Sequence, residues 1–296
     1  MTARIQTFPL GNADTLRLDL ADDRKVLIDF ADMRNGDDDD KRCDLPAELR
    51  RDLQRAGRNY FDAVCITHTD RDHCKGFGDF FWLEHAKTYQ GEGRIKIDEL
   101  WVPAAAILEE NLKDDARIVR AEARHRLREG RGIRVFSFPD RLKSWMEKEG
   151  LDFDSRKHLI VDAGRLVPGY SIDGPERAEF FVHCPFAWRQ DENNVVVRNE
   201  DSIVMHVTLI EGGRPSKLFL ASDVDHETLS QIVQTSRKHN NEHRLRWDVM
   251  KLPHHCSYLS LGPERGEDET VPVPDVKWLF EDAREDGSYL VSPSCP

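Results

Sequence analysis

Long apolar runs are missing from this chain of 296 residues. None approaches the roughly 20 residues needed to span a bilayer. The first residues, Met1-Thr2-Ala3-Arg4-Ile5, carry no hydrophobic leader core, so a cytoplasmic protein is the expectation. Cysteine is sparse and unpaired in pattern. Cys43, Cys65, Cys74, Cys184, Cys256 and Cys295 form no C-x-x-C, which disfavours a cysteine-built zinc site. A chain of this length folds without disulfides, and free thiols fit a reducing compartment. Positive charge is also lacking. The net charge of -12 excludes a protein that coats nucleic acid by bulk electrostatics. It leaves room for a nuclease, because bound metal ions supply local positive charge. No internal repeat, low-complexity tract or clear linker divides the chain.

What is present is an alternation of strand-like and helix-like segments. TLRLDL (15–20) and KVLIDF (25–30) flank the turn Ala21-Asp22-Asp23-Arg24 and read as a hairpin. NGDDDDKR (35–42) is a charged surface loop. Residues 46–59 read as a helix with Leu49, Leu53 and Ala56 on one face. Phe77, Phe80, Phe81 and Glu84 fall at helical spacing, and the aromatics are expected to pack that helix on the sheet. Residues 104–150 read as mainly helical. The arginines Arg117, Arg120, Arg124, Arg126, Arg128, Arg131 and Arg134 read as a solvated helix face before a phosphate-contacting patch. Strands follow at 179–183, 202–210, 217–221 and 248–252, with a turn at 211–214 and a helix at 225–238. Strands in both halves with helices between them predict a layered α/β (α+β) domain.

Three apolar strands end in potential metal ligands. Ala63-Val64-Cys65-Ile66 runs into His68-Thr69-Asp70-Arg71-Asp72-His73, KLFLA runs into Ser222-Asp223, and VMKLP runs into His254-His255. Strand ends in one sheet sit at fixed separations, so short loops there converge on one small volume. Histidine and carboxylate are ligands that zinc, manganese and iron accept. His68 and Asp70 can feed one ion, Asp72 and His73 a second, and Asp223 can bridge them. Each part has a plainer reading: an acidic loop with incidental histidines, a helix cap for Asp223, and a loop pair for His254-His255. Cys74 and Cys256 each follow a histidine and read as small residues packed behind ligands.

These residues resemble a known family. His68 to His73 is similar to the metallo-β-lactamase signature H-x-H-x-D-H, with Asp70 in place of the second histidine. The H-x-D-x-D-H form resembles the metallohydrolase domain of ComEC, the bacterial DNA-uptake channel. FPLGNAD (8–14), KVLID (25–29), NEDSIV (199–204), LASD (220–223) and LPHHCS (252–257) resemble further segments of that group, in order. The resemblance covers about 5–100 and 178–260. Ser222, Lys75 and Cys256 depart from it, with Ser222 and Cys256 standing where glycine is usual. No H-x-x-G-x-S segment supplies the third histidine motif, and Asp201 or Asn199 is the candidate for that place.

The resemblance implies a four-layer αβ/βα sandwich as a single domain over 1–296, with a helical insertion at about 104–175. It implies two divalent metal ions, manganese or zinc, held by His68, Asp70, Asp72, His73, Asp223, His254, His255 and Asp201. It also implies a hydrolase in which Asp72 orients the attacking water while His255 and Lys75 stabilise developing negative charge. A phosphodiesterase or nuclease acting on nucleic acid or nucleotides is the leading expectation. A hydrolase of another ester or amide, and a non-catalytic subunit of a multi-protein system, are the alternatives. The strand-like YLVS at 289–292 suggests that the domain continues.

Overall fold

The computed structural model describes residues 2–37, 39–193 and 196–294, with the side chain of Asn193 excepted. Its first sheet has seven strands in chain order: β1 (Arg4–Thr7), β2 (Leu16–Asp19), β3 (Lys25–Ile28), β4 (Tyr60–Cys65), β5 (Lys96–Pro103), β6 (Ile133–Phe136) and β7 (Ile160–Val161). The first three pair antiparallel through the expected hairpin, with Asp23 in the left-handed region at φ 70°. From β3 to β7 every pairing is parallel. Parallel neighbours need crossovers, and helices supply several of them. α1 (Leu45–Arg55), α2 (Arg71–Cys74), α3 (Phe77–Phe80), α4 (Ala104–Leu108), α5 (Asp114–Glu129) and α6 (Asp140–Lys148) lie between these strands.

The second sheet begins at β8 (Ala178–Cys184). After α7 (Ala187–Asn193) come β9 (Val204–Glu211), β10 (Arg214–Leu220), α8 (His226–Lys238), β11 (Trp247–Lys251), α9 (Pro274–Glu281) and β12 (Arg284–Val291). The spatial order is β12-β11-β10-β9-β8. β8, β9 and β10 are antiparallel, while β10, β11 and β12 are parallel.

Strand alternation explains the layers. Met205, Val207 and Leu209 of β9, with Leu218 and Leu220 of β10, face Val26, Ile28, Ala63 and Cys65 of the first sheet. Phe219, between its inward neighbours, points the other way onto Leu229, Ile232 and Val233 of α8. Leu27 and Val64 likewise turn outward to α1 and α5 through Leu49, Leu53 and Val119. The result is helices, sheet, sheet, helices, the four-layer α/β order that the resemblance implies.

Two expectations change. The stretch at 104–175 carries helices, but it also carries β6 and β7, which extend the first sheet in parallel. It therefore continues the sheet's strand–helix rhythm. The strands IRVF and IV are too short for their pattern to stand out among arginine-rich helices. The second change is α3, which is a single turn: Phe81 leaves it with extended backbone and bridges to Ile95. The aromatics do pack as core, with Phe30 stacked on Phe80 at 4.7 Å between ring centroids.

Candidate metal centre

The loops after β3, β4, β10 and β11, together with the loop before β2, meet at one edge of the sandwich. They are stitched by main-chain hydrogen bonds. Asp14 N–H donates to Asp72 C=O at 3.0 Å, Phe30 N–H to His73 C=O at 3.0 Å, and His254 N–H to Ser222 C=O at 3.0 Å. The backbone is strained here. Asp29, Ser222, His254, His255 and Cys256 all have φ between 45° and 64°. Residues other than glycine visit this region at a cost, and such outliers gather where geometry serves a site. The departures from glycine at Ser222 and Cys256 fall on two of these positions.

Asp14, His73, Asp223 and His255 each offer one ligand atom, and those atoms all lie within 4.8 Å of one another. His73 Nε2 is 3.4 Å from Asp14 Oδ2 and 3.3 Å from Asp223 Oδ1. His255 Nε2 is 3.5 Å from Asp223 Oδ2 and 2.8 Å from Asp72 Oδ2. His73 Nε2 and Asp223 Oδ1 are buried with no hydrogen-bond partner. Polar atoms buried in that way are costly unless something satisfies them. Two carboxylates and two imidazoles aimed at one point suit a divalent cation, so the residues fit a metal.

The atoms behind the ligands orient them. His73 Nδ1 lies 2.8 Å from Asp29 Oδ2. Asp29 in turn accepts from Thr67 N–H at 2.7 Å and from its hydroxyl at 2.8 Å. His255 Nδ1 lies 3.1 Å from the Pro293 carbonyl oxygen. Such partners fix ring orientation and leave Nε2 to the cluster. Lys251 Nζ meets Asp14 Oδ2 at 2.5 Å and offsets part of the negative charge.

The electrostatics follow. Burial opposes charge on His73, but Asp29 and Asp223 outweigh it and hold its pKa well above the ordinary value. Burial also opposes charge on Asp223, yet His73 beside it holds that carboxyl well below the usual range. Binding a cation here would displace the imidazole proton. Asp14 is pushed up by burial despite Lys251. For Asp72, burial opposes charge, but the hydrogen bond from His255 and the nearby charge of His73 together outweigh it and lower its pKa.

His68 stands beside this group, its ring centroid 3.9 Å from that of His73. Burial, and then His73, push its pKa down to about 3. It is therefore neutral, and its Nε2 is buried without a hydrogen-bond partner. Asp70 Oδ2 lies 3.8 Å from that nitrogen, so His68 and Asp70 form a neighbouring pair. The other Asp70 oxygen accepts from Arg198 Nη1 at 2.6 Å.

Of the residues expected at the site, the structure gathers His68, Asp70, Asp72, His73, Asp223 and His255. It separates the pair left open in sequence: His255 joins the cluster and His254 does not. Adjacent residues in left-handed backbone point apart, with their rings 6.5 Å from each other. Asp201 is not a member either. Its carboxylate accepts from Val197 N–H at 3.0 Å and braces its own loop, while Asn199 accepts from Ser202 through its main-chain oxygen. Lys75 makes no ion pair among the described residues, and its main-chain oxygen accepts from Asp32 N–H at 2.9 Å. Cys74 is buried as expected, but Cys256 is exposed and touches the Ser292 hydroxyl at 3.0 Å. The five described cysteines are free thiols, and Cys295 lies outside the described residues.

Sequence reasoning missed Asp14, Asp29, Lys251, Glu109 and Arg198. Asp14 and Asp29 close the segments FPLGNAD and KVLID, which signalled the resemblance without being read as site residues. The arginine-rich segment is largely spent on structure. Arg120 and Arg124 donate to the Glu109 and Ile107 carbonyls. Arg126, Arg128, Arg131 and Arg134 pair with Glu122, Glu149, Glu84 and Glu99.

No family description and no curated protein matches the chain by sequence. Solved structures do resemble it. One is a diphosphatase of the PhnP family, 12% identical over 95% of this chain and 74% of that one, with a TM-score of 0.31. A B3 metallo-β-lactamase with an active-site glutamic acid is 11% identical, covering 93% of this chain and 85% of its own, with a TM-score of 0.39. A β-lactamase from Chitinophaga pinensis is 11% identical, with 94% and 90% covered and a TM-score of 0.37. No helix among the described residues is long and apolar enough to cross a membrane.

Proposed function

We propose that this chain is a metal-dependent hydrolase that cleaves phosphodiester bonds, with a nucleic acid or nucleotide as substrate. The observation that carries the reading is the convergence of Asp14, His73, Asp223 and His255, with His73 Nε2 and Asp223 Oδ1 buried and without a hydrogen-bond partner. The H-x-D-x-D-H resemblance at His68 to His73 supplies the substrate class.

Asp14, His73, Asp223 and His255 would hold one divalent ion, and His68 with Asp70 beside them would be the ligands for a second. The oxygen-rich donor set favours manganese, and zinc is the second choice. Such ions lower the pKa of water and offset the charge of a phosphoryl group. The remaining work falls to the chain. Asp29 and the Pro293 carbonyl orient His73 and His255. Lys251 offsets part of the penalty that burial places on charge at Asp14. Asp72 is partly exposed, and its carboxylate lies 2.8 Å from His255 Nε2. It would be released from that hydrogen bond when Nε2 holds an ion, and could then orient an incoming water and accept its proton.

The test is incubation of manganese- or zinc-loaded protein with single-stranded DNA, RNA, cyclic nucleotides and a panel of carboxylic esters and lactones. Cleavage of a phosphodiester that is lost on adding chelator, and lost in Asp72→Ala with Asp223→Ala, is the expected result. No phosphodiester cleavage, or cleavage that survives the double variant, overturns the reading.

A further inference from the structure

Arg198 lies in the loop between α7 and β9, and the loop is tightly braced. Asp201 N–H donates to the Val197 carbonyl at 2.8 Å, and the Asp201 carboxylate accepts from Val197 N–H at 3.0 Å. Ile203 N–H donates to the Thr67 carbonyl at 3.0 Å, which ties the loop to the segment that leads into His68. The side chain is held as firmly. Arg198 Nε donates to both Glu109 oxygens, at 2.9 and 2.8 Å, and Nη2 donates to Oε1 at 2.6 Å. Nη1 donates to Asp70 Oδ1 at 2.6 Å.

A guanidinium carries five N–H groups. Glu109 takes the Nε hydrogen and one on Nη2, and Asp70 takes one on Nη1. One N–H remains on each terminal nitrogen. Because Glu109 occupies the Nε–Nη2 edge, the remaining Nη2 hydrogen lies on the end-on Nη1–Nη2 edge, the edge whose fork matches two oxygens of a phosphate or carboxylate. The Arg198 side chain is 36% exposed, so part of it is open to solvent. It stands one carboxylate away from His68. Lys251, the cation at the other side of the cluster, is buried against Asp14 and offers no such opening.

We propose that Arg198 is the residue that receives the anionic phosphoryl group of the substrate, with Glu109 as the residue that positions it. This rests on the phosphodiesterase reading for its substrate class. Glu109 cancels the net charge of the arginine while leaving its fork in place. The pairing therefore selects for oxygen geometry more than for bulk charge, which suits a site rich in aspartate.

The experiment compares wild type, Arg198→Met, Arg198→Lys and Glu109→Gln, each loaded with manganese and checked for metal content. Inorganic phosphate binding is measured by calorimetry, and hydrolysis with bis(p-nitrophenyl) phosphate and with p-nitrophenyl acetate. Arg198→Met is expected to weaken phosphate binding about tenfold or more and to lower kcat/KM on the diester about a hundredfold. Activity on the neutral ester, and metal content, stay within about threefold. Arg198→Lys recovers only part, because an ammonium lacks the fork, and Glu109→Gln raises KM on the diester more than it lowers kcat. Unchanged phosphate binding in Arg198→Met overturns the proposal, as does an equal loss on both substrates, or wild type that binds no phosphate. Wild type that binds phosphate through Arg198 yet cleaves no diester sinks the hydrolase reading and leaves this proposal standing.

Discussion

Lys251 and Asp14 lie 237 residues apart in sequence and meet at 2.5 Å in the interior. Each is nearly inaccessible, so each charge depends on the other. Removing one partner of a buried pair strands the remaining charge, typically at about 3–5 kcal/mol, whereas removing both is far milder. Lys251→Met is therefore expected to destabilise the chelator-treated protein by about 3 kcal/mol in urea denaturation. Asp14→Asn with Lys251→Met should recover most of that loss. Equal stability of the single and double variants would show that the pair is uncoupled.

Asp29 is expected to act on metal affinity without being a ligand. It holds His73 Nδ1 at 2.8 Å and is itself fixed by Thr67. Loss of such a partner typically weakens metal binding by roughly 10–100-fold. Asp29→Asn should show that loss in a manganese or zinc titration at neutral pH. The penalty should shrink as pH falls, because Asp29 also raises the pKa of His73 and so strengthens proton competition in the wild type. An affinity equal to wild type at every pH contradicts this role.

How much of this was legible in sequence depends on distance along the chain. His68 to His73 could be read because four potential ligands fall within six residues after a buried strand. The layered α/β class could be read because apolar alternation repeats along the chain. Asp14, Asp29 and Lys251 could not be read as site residues. Each is a lone charged residue beside a strand, where a surface role is the commoner one. Their meaning comes from pairing order: β2 beside β3, β3 beside β4, and β10 beside β11. Arg198 and Glu109 were hidden for the same reason. The choice between His254 and His255 turned on backbone angles, which adjacency in sequence does not reveal.

Those angles lead to a stability prediction. Cys256 sits at φ 64°, where a side chain costs roughly 1–2 kcal/mol that glycine does not incur. Glycine gives back part of the gain through its larger unfolded-state entropy. Cys256→Gly is thus expected to stabilise the chelator-treated protein by about 0.5–1 kcal/mol, a rise in Tm of roughly 2 °C. Cys256→Val, branched at Cβ, should lower Tm. If valine and glycine shift Tm alike, the strain is not borne at this residue.

Asp201 provides a test in which pH and metal separate two roles. Burial outweighs the hydrogen bond from Val197 and raises its pKa from 3.8 to about 6. Below about pH 4 both folded and unfolded states are protonated here, and the contribution to stability is whole. Between about pH 4 and pH 6 the unfolded chain ionises first, so stability falls as pH rises. At 1.36 kcal/mol per pKa unit, the loss above pH 6 approaches about 3 kcal/mol. Asp201→Asn keeps an oxygen to accept from Val197 N–H and has no charge to bury. Relative to wild type, it is expected to gain stability steadily from pH 4 to pH 7 in urea denaturation with chelator present. A flat difference across that window would remove the buried carboxylate as the cause. Metal titration of the same variant should match wild type, because the Asp201 oxygens brace the Arg198 loop and stand outside the Asp14–His73–Asp223–His255 group. A tenfold loss of metal affinity would instead make Asp201 the third-motif ligand that the sequence suggests.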